Sequence, residues 1–509
     1  MKREIKRVLS VWLAVFLLLS SMPMTGVADF FALRASAAGI VSGTCGDNLT
    51  WTLEDDVLTI SGEGAMNDYL WPEEVDESTP QSLRSPFRFL DYFTLIVEEG
   101  VTRLGDCAFE ESGTDSHFLQ FVSLPSTLRE IGTFAFDECA SLKSITLPQN
   151  LEKIEGYAFA DCSLDTVTIP KSVREIGGNA FLGVKKMFLV EEDNPVFASL
   201  EGSLCFAETD ELIQAPIVPK DGENYTVPFG VKKLRFRSIC NTQAVRIILP
   251  STVQEIEEEA LTWNDKLQEI EVDKNNTTFY SKDGVLYDYA MQTLIQYPQA
   301  KTESIFHVPK GVKTIGLESF HNARFLVCVD LPESVQTIEN SAFANCDMLE
   351  RVVMGRVTQI GDYVFTCNTL QYVFYTGTPK DRAAIQMGEG NEFWTDAQWI
   401  YSTDRTSFVE SVNFDFDLIL NYKDTFFFEP EINADGYWVE YVSFDSSVFT
   451  VEEQYGKAVV TARGRGTATL TCTIGDIYGN TVTDSCEVTV QYAWWQWLIK
   501  ILLFGWIWY

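Results

Sequence analysis

The middle of the chain is an internal repeat with a period of 22 or 23 residues. Its most regular element is the pair Ala-Phe, which is followed at intervals by near copies of itself. The pairs and their variants are Ala108-Phe109, Ala135-Phe136, Ala158-Phe159, Ala180-Phe181, Ala260-Leu261, Ser319-Phe320, Ala342-Phe343 and Val364-Phe365. A period in this range is typical of a solenoid, in which each repeat forms one rung.

The residues of one unit predict its local structure. Ile145-Thr146-Leu147 alternates apolar and polar side chains as a short strand does, and Pro148 ends it because proline has no amide proton for a sheet. Leu151, Ile154, Ala158 and Phe159 follow at the spacing of a short helical or 3₁₀ turn. The predicted fold class is therefore a mixed α/β solenoid with one strand and one helical turn per rung.

One rung cannot bury its own apolar face, but stacked rungs can. We therefore expect the repeated phenylalanines to form a buried column that stabilises the solenoid. The predicted core residues are Phe109, Phe136, Phe159, Phe181, Phe320, Phe343 and Phe365.

The beginning of the chain predicts export. Four basic residues at positions 2, 3, 6 and 7 precede the apolar stretch 8–19, and Ala35-Ser36-Ala37 has the small residues of a cleavage site. This order is typical of a secretory signal peptide covering residues 1–37, with Ala35 and Ala37 at the cleavage site. The formal net charge of −35 opposes binding to nucleic acid and to anionic lipid.

No residue pattern of a known active site occurs in the chain. We therefore expect no enzyme activity, no cofactor and no metal site. Cys139, Cys162, Cys346 and Cys367 recur with the repeat, which favours small buried side chains over a disulfide framework. The three histidines, His117, His307 and His321, are expected at the surface.

A second, longer period of 82 residues relates two blocks of the chain. Val190, Asn194, Phe197 and Gly202 recur as Val272, Asn276, Phe279 and Gly284. Each block adds a hairpin to the repeat, near 188–216 and near 270–298. Such insertions usually protrude, so Tyr280, Tyr287 and Tyr289 are candidate contact residues.

The repeat unit contains, in order, an apolar-Pro pair, Ile-Gly, Ala-Phe and Cys, and the chain before the repeats contains Cys45-Gly46-Asp47-Asn48-Leu49-Thr50-Trp51. In both features the chain resembles the BspA-like leucine-rich repeat proteins of bacterial surfaces. The resemblance covers about residues 43 to 402, with a β-hairpin cap and surface loop at 38–94 and the solenoid at 95–402. It implies a scaffold for attachment, with host or microbial surface proteins as partners.

The remaining residues differ from the repeat. Residues 403–492 resemble a bacterial Ig-like domain of group 2, whose Cys472 and Cys486 could form a bridge or stay reduced. Residues 493–509 form a hydrophobic aromatic tail that predicts a membrane anchor, or a segment that docks on another protein. The tail tryptophans are Trp494, Trp495, Trp497, Trp506 and Trp508.

Taken together, the sequence predicts a secreted, non-catalytic protein that is retained at the bacterial cell surface and binds other proteins through its solenoid. The alternative is a glycan-binding or wall-associated module. The outward strand positions, Ser123, Thr146, Thr168, Ile248 and Asp330, include no aromatic residue, which argues against a sugar platform on that face.

Overall fold

The computed structural model describes residues 41–71, 74–75, 79–88, 90–110, 119–218, 223–401, 408–414, 417–428, 430–435, 438–454, 457–476 and 480–493. The chain divides into two compact units, Met1–Glu208 and Thr209–Tyr509. Both units are built almost entirely from short strands and turns.

The first unit contains strands β1 to β14. One sheet has the order β1-β2-β3-β5-β7, a second has the order β11-β9-β8-β6-β4, and β10 pairs with β12. The strands are β1 (Val41–Gly46), β2 (Leu49–Glu54), β3 (Val57–Gly62), β4 (Gly64–Ala65), β5 (Thr94–Val97), β6 (Val101–Leu104), β7 (Phe121–Ser123), β8 (Glu130–Ile131), β9 (Lys153–Ile154), β10 (Thr166–Ile169), β11 (Glu175–Ile176), β12 (Met187–Val190), β13 (Phe197–Leu200) and β14 (Ser203–Phe206).

The second unit continues with strands β15 to β32. The strands are β15 (Glu211–Gln214), β16 (Asn224–Thr226), β17 (Lys233–Leu234), β18 (Arg246–Leu249), β19 (Glu255–Ile256), β20 (Glu269–Val272), β21 (Phe279–Lys282), β22 (Val285–Asp288), β23 (Thr293–Gln296), β24 (Ile305–His307), β25 (Thr314–Ile315), β26 (Cys328–Asp330), β27 (Thr337–Ile338), β28 (Arg351–Met354), β29 (Gln359–Ile360), β30 (Tyr372–Tyr375), β31 (Gln386–Met387) and β32 (Gln398–Tyr401). Stacked rungs pair in parallel in the sheet β24-β26-β28-β30-β32 and in β23-β25-β27-β29-β31, and the antiparallel strands β21 and β22 extend the second of these to seven strands.

The end of the second unit is all β. Its strands are β33 (Phe408–Asn413), β34 (Leu418–Asn421), β35 (Thr425–Phe428), β36 (Glu431–Asp435), β37 (Trp438–Ser443), β38 (Phe449–Gln454), β39 (Lys457–Ala462), β40 (Gly466–Gly475) and β41 (Thr481–Gln491). The sheets β34-β41-β40-β37 and β35-β39-β38 share one apolar core that includes Phe428, Phe449 and Leu470. Cys472 and Cys486 are free thiols, and neither lies opposite the other in the register of β40 and β41.

The prediction of a mixed α/β solenoid is wrong, because the repeated turn is not helical. In the described residues the only helices are the short α1 (Pro379–Arg382) and α2 (Glu392–Asp396) and the 3₁₀ turn Gln81–Leu83. Ile154, which was expected on a helical turn, lies in strand β9. The fold of the repeats is a β-solenoid.

Left-handed residues explain why no helix forms at the Ala-Phe pair. Phe134 and Glu138 flank one pair with φ of 55° and 56°, and Tyr157 and Asp161 flank the next with 55° and 52°. A right-handed helix requires negative φ, so two such residues four positions apart limit the chain to a single turn. The same spacing recurs in the second unit at Glu318 and Asn322.

Hydrogen bonds between rungs hold this turn in place. The amides of Phe134, Phe136 and Glu138 donate to the carbonyls of Gly156, Ala158 and Ala160 in the next rung, at 3.1, 2.8 and 3.0 Å. In a helix those amides would bond within their own segment instead. The turns of successive rungs are therefore hydrogen-bonded to one another, as strands are in a sheet.

The repeat phenylalanines form two columns of stacked rings. In the first unit, Phe87, Phe109, Phe136, Phe159 and Phe181 follow one another with centroids 5.0 to 5.4 Å apart. In the second unit the column contains Tyr297, Phe320, Phe343, Phe365 and Trp394, at 4.3 to 5.2 Å. All ten side chains are buried. The repeat pattern does not predict Phe87, Tyr297 or Trp394, because none of them belongs to an Ala-Phe pair.

The repeat cysteines act as hydrogen-bond donors rather than as apolar fillers. Each thiol donates to the carbonyl of the column phenylalanine in the preceding rung: Cys139 to Phe109 at 3.2 Å, Cys162 to Phe136 at 3.1 Å, Cys346 to Phe320 at 3.1 Å and Cys367 to Phe343 at 2.9 Å. The thiols therefore add a hydrogen bond from rung to rung, and the carbonyls of Phe136 and Phe320 also accept a backbone amide.

The last rung of the solenoid is closed by polar and aromatic groups from the segment that follows. The amide of Tyr363 donates to the carbonyl of Glu389 at 2.7 Å, and that of Phe365 donates to Oδ1 of Asn391 at 3.1 Å. Trp394, on helix α2, stacks on Phe365 at 4.3 Å. These residues satisfy the amides that have no further rung to bond.

A substitution in the column tests its contribution to stability. We expect Phe159→Ala to lower the free energy of unfolding by about 3–5 kcal/mol, because the buried ring leaves a cavity between two stacked neighbours. Chemical denaturation of the purified chain measures the change. Phe121→Ala is the control, since that ring is exposed on the outer face of β7 and should contribute less than about 1 kcal/mol. Equal losses for the two variants would contradict the column as the source of stability.

Candidate binding surfaces

The outward face of the strands differs between the two units. Ser123, Thr146 and Thr168 are exposed in the first unit, as their polar side chains predict. The same face also carries Phe121, which is 63% exposed, and Ile96, which lies opposite Ser123 in the adjacent strand. These two apolar residues were not among the outward positions identified from the sequence.

In the second unit, part of the outward face is covered. Ile248 is half-buried, and the side chain of Asp330 is largely buried beside His307. Val353 and Phe374 point away from the solenoid core but are buried in a separate apolar cluster with Cys328. Trp438, at the start of β37, packs on this cluster, with its ring 6.2 Å from that of Tyr372. This contact removes Val353 and Phe374 from the accessible surface.

The inserted hairpin of the second unit presents two aromatic side chains. Strands β21 and β22 pair antiparallel around Asp283 and Gly284, whose φ values of 52° and 78° are those of a tight two-residue hairpin turn. Of the three candidate contact residues, Tyr280 is 45% exposed and Tyr289 is 59% exposed, whereas Tyr287 is 1% exposed. Tyr280 and Tyr289 are therefore available to a partner, and Tyr287 belongs to the core.

Asn276 fixes the hairpin to the solenoid. Its side-chain amide donates to the carbonyls of Pro250 and Val253 at 3.0 and 2.9 Å, and its Oδ1 accepts from the amides of Thr278 and Phe279. The amide of Ile270 also donates to the carbonyl of Gly284 at the hairpin turn. The hairpin is thus held in a defined position on the rung.

A groove of about 300 Å³ lies at the base of this hairpin. One wall comes from Lys282 at the end of β21 and from Asp283 in the turn. The other comes from β24 and the chain that follows it up to Lys310, with Asp330 and Pro332 beside them. On the same side, Nδ1 of His307 lies 3.0 Å from Oδ2 of Asp330, and the carboxylate accepts the hydrogen bond. No sequence pattern indicated this groove, because its two walls are separated by more than twenty residues.

Ion pairs join neighbouring rungs along strands β15, β17 and β19. Lys233 contacts Glu255 and Glu257 at 2.8 and 2.7 Å, and Arg235 contacts Glu211 at 2.8 Å. Most basic side chains on these strands are therefore engaged with acidic groups of a neighbouring rung. Such a surface offers few uncompensated positive charges to a partner.

Two titratable groups are buried in the turns. His321 is only 4% exposed, so its expected position at the surface is wrong. Its Nε2 lies 3.1 Å from Nδ2 of Asn345 and its ring contacts that of Trp263, while burial lowers its pKa and favours the neutral imidazole. His307, in contrast, is exposed.

Asp137 is the second buried group. It follows the column residue Phe136 and is almost completely buried. Burial, with Asp161, Glu138 and Glu110 nearby, raises its pKa to about 8. Asp137 is therefore mostly protonated at neutral pH.

Some expectations fall on residues that the structure does not describe. The cleavage-site residues Ala35 and Ala37 and the tail tryptophans Trp494, Trp495, Trp497, Trp506 and Trp508 lie outside the described residues. Within the described ranges, no helix is long and apolar enough to cross a membrane. No group of three acidic, histidine or cysteine side chains in those ranges is arranged to hold a metal ion.

Comparison with known families identifies the repeat. A model described as the BspA type leucine rich repeat region matches residues 102–215, 221–295 and 296–381 in six copies, together more than half of the 509 residues. No curated protein sequence matches the chain significantly.

Several solved structures resemble the chain. A leucine-rich repeat protein from Eubacterium ventriosum is 22% identical over 66% of this chain and 72% of its own, with a TM-score of 0.35. A leucine rich cell surface protein from Faecalibacterium prausnitzii is 19% identical over 69% and 99%, also with 0.35. The pneumococcal vaccine antigen PcpA is 17% identical over 72% and 99%, with 0.37.

The buried carboxyl of Asp137 leads to a prediction about pH. Its pKa is raised from 3.8 in the unfolded chain, so the folded state loses stability as the pH rises from about 4 to about 8. Asp137→Asn removes that cost, and we expect it to increase the free energy of unfolding at pH 7 by on the order of 2–5 kcal/mol. The difference should disappear below pH ~4, where both side chains are neutral.

Denaturation curves at pH 4 and pH 7 measure this effect. Asp91→Asn is the control, because Asp91 is exposed and its substitution should change stability little at either pH. A variant at Asp137 that is destabilised equally at both pH values would show that the ionised carboxylate is tolerated in the folded state.

Proposed function

Because the chain belongs to the BspA type leucine-rich repeat family, we propose that it is a non-catalytic bacterial cell-surface protein that binds other proteins through its repeat region. The proposed partners are surface proteins of a host or of other microbes. The proposal includes export by the N-terminal segment and retention at the cell envelope by the aromatic tail.

The exposure of Tyr280 and Tyr289 carries this proposal. Tyrosine supplies a large contact area with few rotatable bonds, and it is enriched where proteins bind one another. Both side chains project from a hairpin that Asn276 and the Gly284 carbonyl hold in place. A fixed aromatic surface loses little conformational entropy when a partner binds.

Two other surfaces of the second unit are less suited to contact a partner. Lys233 and Arg235 already pair with glutamates of adjacent rungs, and Val353 and Phe374 are covered by Trp438. On the first surface the exposed ring of Phe236 contacts the guanidinium of Arg237, and on the second Val353 and Phe374 are buried. The hairpin combines exposed aromatic area with a defined position.

A double substitution on the hairpin tests the proposal. We expect Tyr280→Ser with Tyr289→Ser to weaken binding to the protein partner about tenfold or more, because two exposed rings leave the interface. The fold should remain, since neither ring is part of the buried core. Binding of the purified chain to a panel of host extracellular proteins and microbial surface proteins identifies the partner, and titration then gives the dissociation constants.

Phe325→Ser is the matched control, because Phe325 is similarly exposed but lies on a rung outside the hairpin. It should leave the affinity unchanged. Partner binding that survives in the double variant, or that is lost equally in the control, would place the contact surface elsewhere on the chain.

A further inference from the structure

The outward face of the last rungs carries a patch of apolar side chains that is almost completely buried. Cys328, Val353 and Phe374, on strands β26, β28 and β30, are 0%, 2% and 3% exposed and form one cluster. In the parallel register Val353 lies beside Phe374, and Phe374 lies beside Ile400 on β32, which packs against the same cluster. These four residues, the apolar patch, therefore form one surface across four strands.

The apolar patch is not part of the solenoid core. Val352 and Met354 of β28 belong to that core, and Val353 between them points to the opposite side of the sheet because successive side chains of a strand alternate. The charged residues beside the patch, Arg351 and Asp330, are partly exposed. Solvent would reach the patch as well if the sheet were its only neighbour, so a separate element must cover it.

The covering element is the C-terminal β-region, which consists of strands β33 to β41. Trp438, at the start of β37, packs on the apolar patch, and its ring lies 6.2 Å from that of Tyr372 at an interplanar angle of 25°. Among the described residues, Trp438 is absent from both apolar cores of the C-terminal sheets. The indole therefore packs on the rungs and contributes little to the region that carries it.

Gly475 provides the space in which the indole lies. It is the register partner of Trp438 in the antiparallel pair of β37 and β40. A Cβ atom at position 475 would lie 2.4 Å from the Trp438 ring, which is closer than such atoms approach in proteins. A glycine within a strand often marks a place where another group approaches the backbone closely. A side chain at position 475 would therefore displace the ring from its position on the patch.

We propose that Trp438 and the apolar patch form a fixed joint, which holds the C-terminal β-region in one orientation on the last rungs of the solenoid. Separation of the two surfaces would return apolar groups to water, which opposes relative motion of the two parts. The joint lies outside the hairpin surface and does not depend on the proposed partner. It keeps the end of β41 at a constant distance from the hairpin that carries Tyr280 and Tyr289.

Distances between paired spin labels test the joint in the full chain. The labels are attached through Lys310→Cys, after β24, and Lys457→Cys, at the start of β39, because both lysines are exposed. All eleven native cysteines are buried, so the introduced thiols react first. Double electron–electron resonance should give one narrow distance distribution for the chain with an intact joint.

Three variants disrupt the joint from its two sides. Trp438→Ala removes the indole, Gly475→Val occupies the space in which the indole lies, and Val353→Asp places a carboxylate beneath it without changing the solenoid core. Each should abolish the single narrow distribution, because the two parts then adopt several orientations. Phe444→Ala is the matched control, since Phe444 directly follows β37 but is 71% exposed and lies outside the cluster. It should leave the distribution unchanged.

Two results would overturn the joint. One is a broad distribution in the unsubstituted chain, and the other is a narrow distribution that persists in all three variants while their circular dichroism stays native. A peak that disappears when the labelled chain is diluted with unlabelled chain would also overturn it, because the C-terminal β-region would then cover the rungs of a second copy. Partner binding by Tyr280 and Tyr289 is measured separately, so either proposal can fail without the other.

Discussion

Hydrogen bonds between successive turns are the interaction on which the solenoid depends. In each regular rung, three amides of the turn that carries the Ala-Phe pair donate to carbonyls of the next rung. The two residues with positive φ prevent these amides from bonding within their own turn. This arrangement brings the column rings to about 5 Å from one another, which is close to the spacing of strands in a sheet. Ring stacking and backbone pairing therefore have the same period and reinforce each other.

The sequence was sufficient to predict the period, the buried phenylalanines and the inserted hairpins, because each repeats with a fixed spacing. It did not reveal that the turn is bonded between rungs. Tyr157 and Glu318 occupy left-handed positions that usually favour glycine or asparagine, so their identity gave no signal. The apolar spacing of Leu151, Ile154 and Ala158 also fits a helix, and only the long-range bonds distinguish the two structures.

The candidate sites were predictable to a smaller extent. The exposure of Tyr280 and Tyr289 followed from their place on an insertion, whereas the groove is lined by residues of the hairpin and of β24 that are distant in the sequence. The burial of His321 depends on Trp263 and Asn345, which belong to other rungs. In each case the missing information was a contact between residues that are distant in the chain.

The closure of the last rung has a consequence for shortened chains. Asn391 and Trp394 occupy the place where another rung would add its carbonyl groups and its ring. A molecule that lost this segment would expose the amides of Tyr363 and Phe365 beside an uncovered aromatic face. That surface is complementary to the rungs of an identical molecule, so truncation would convert a closed end into a template for end-to-end polymerisation. Asn391 and Trp394 therefore cover a surface that would otherwise favour association between copies of the chain.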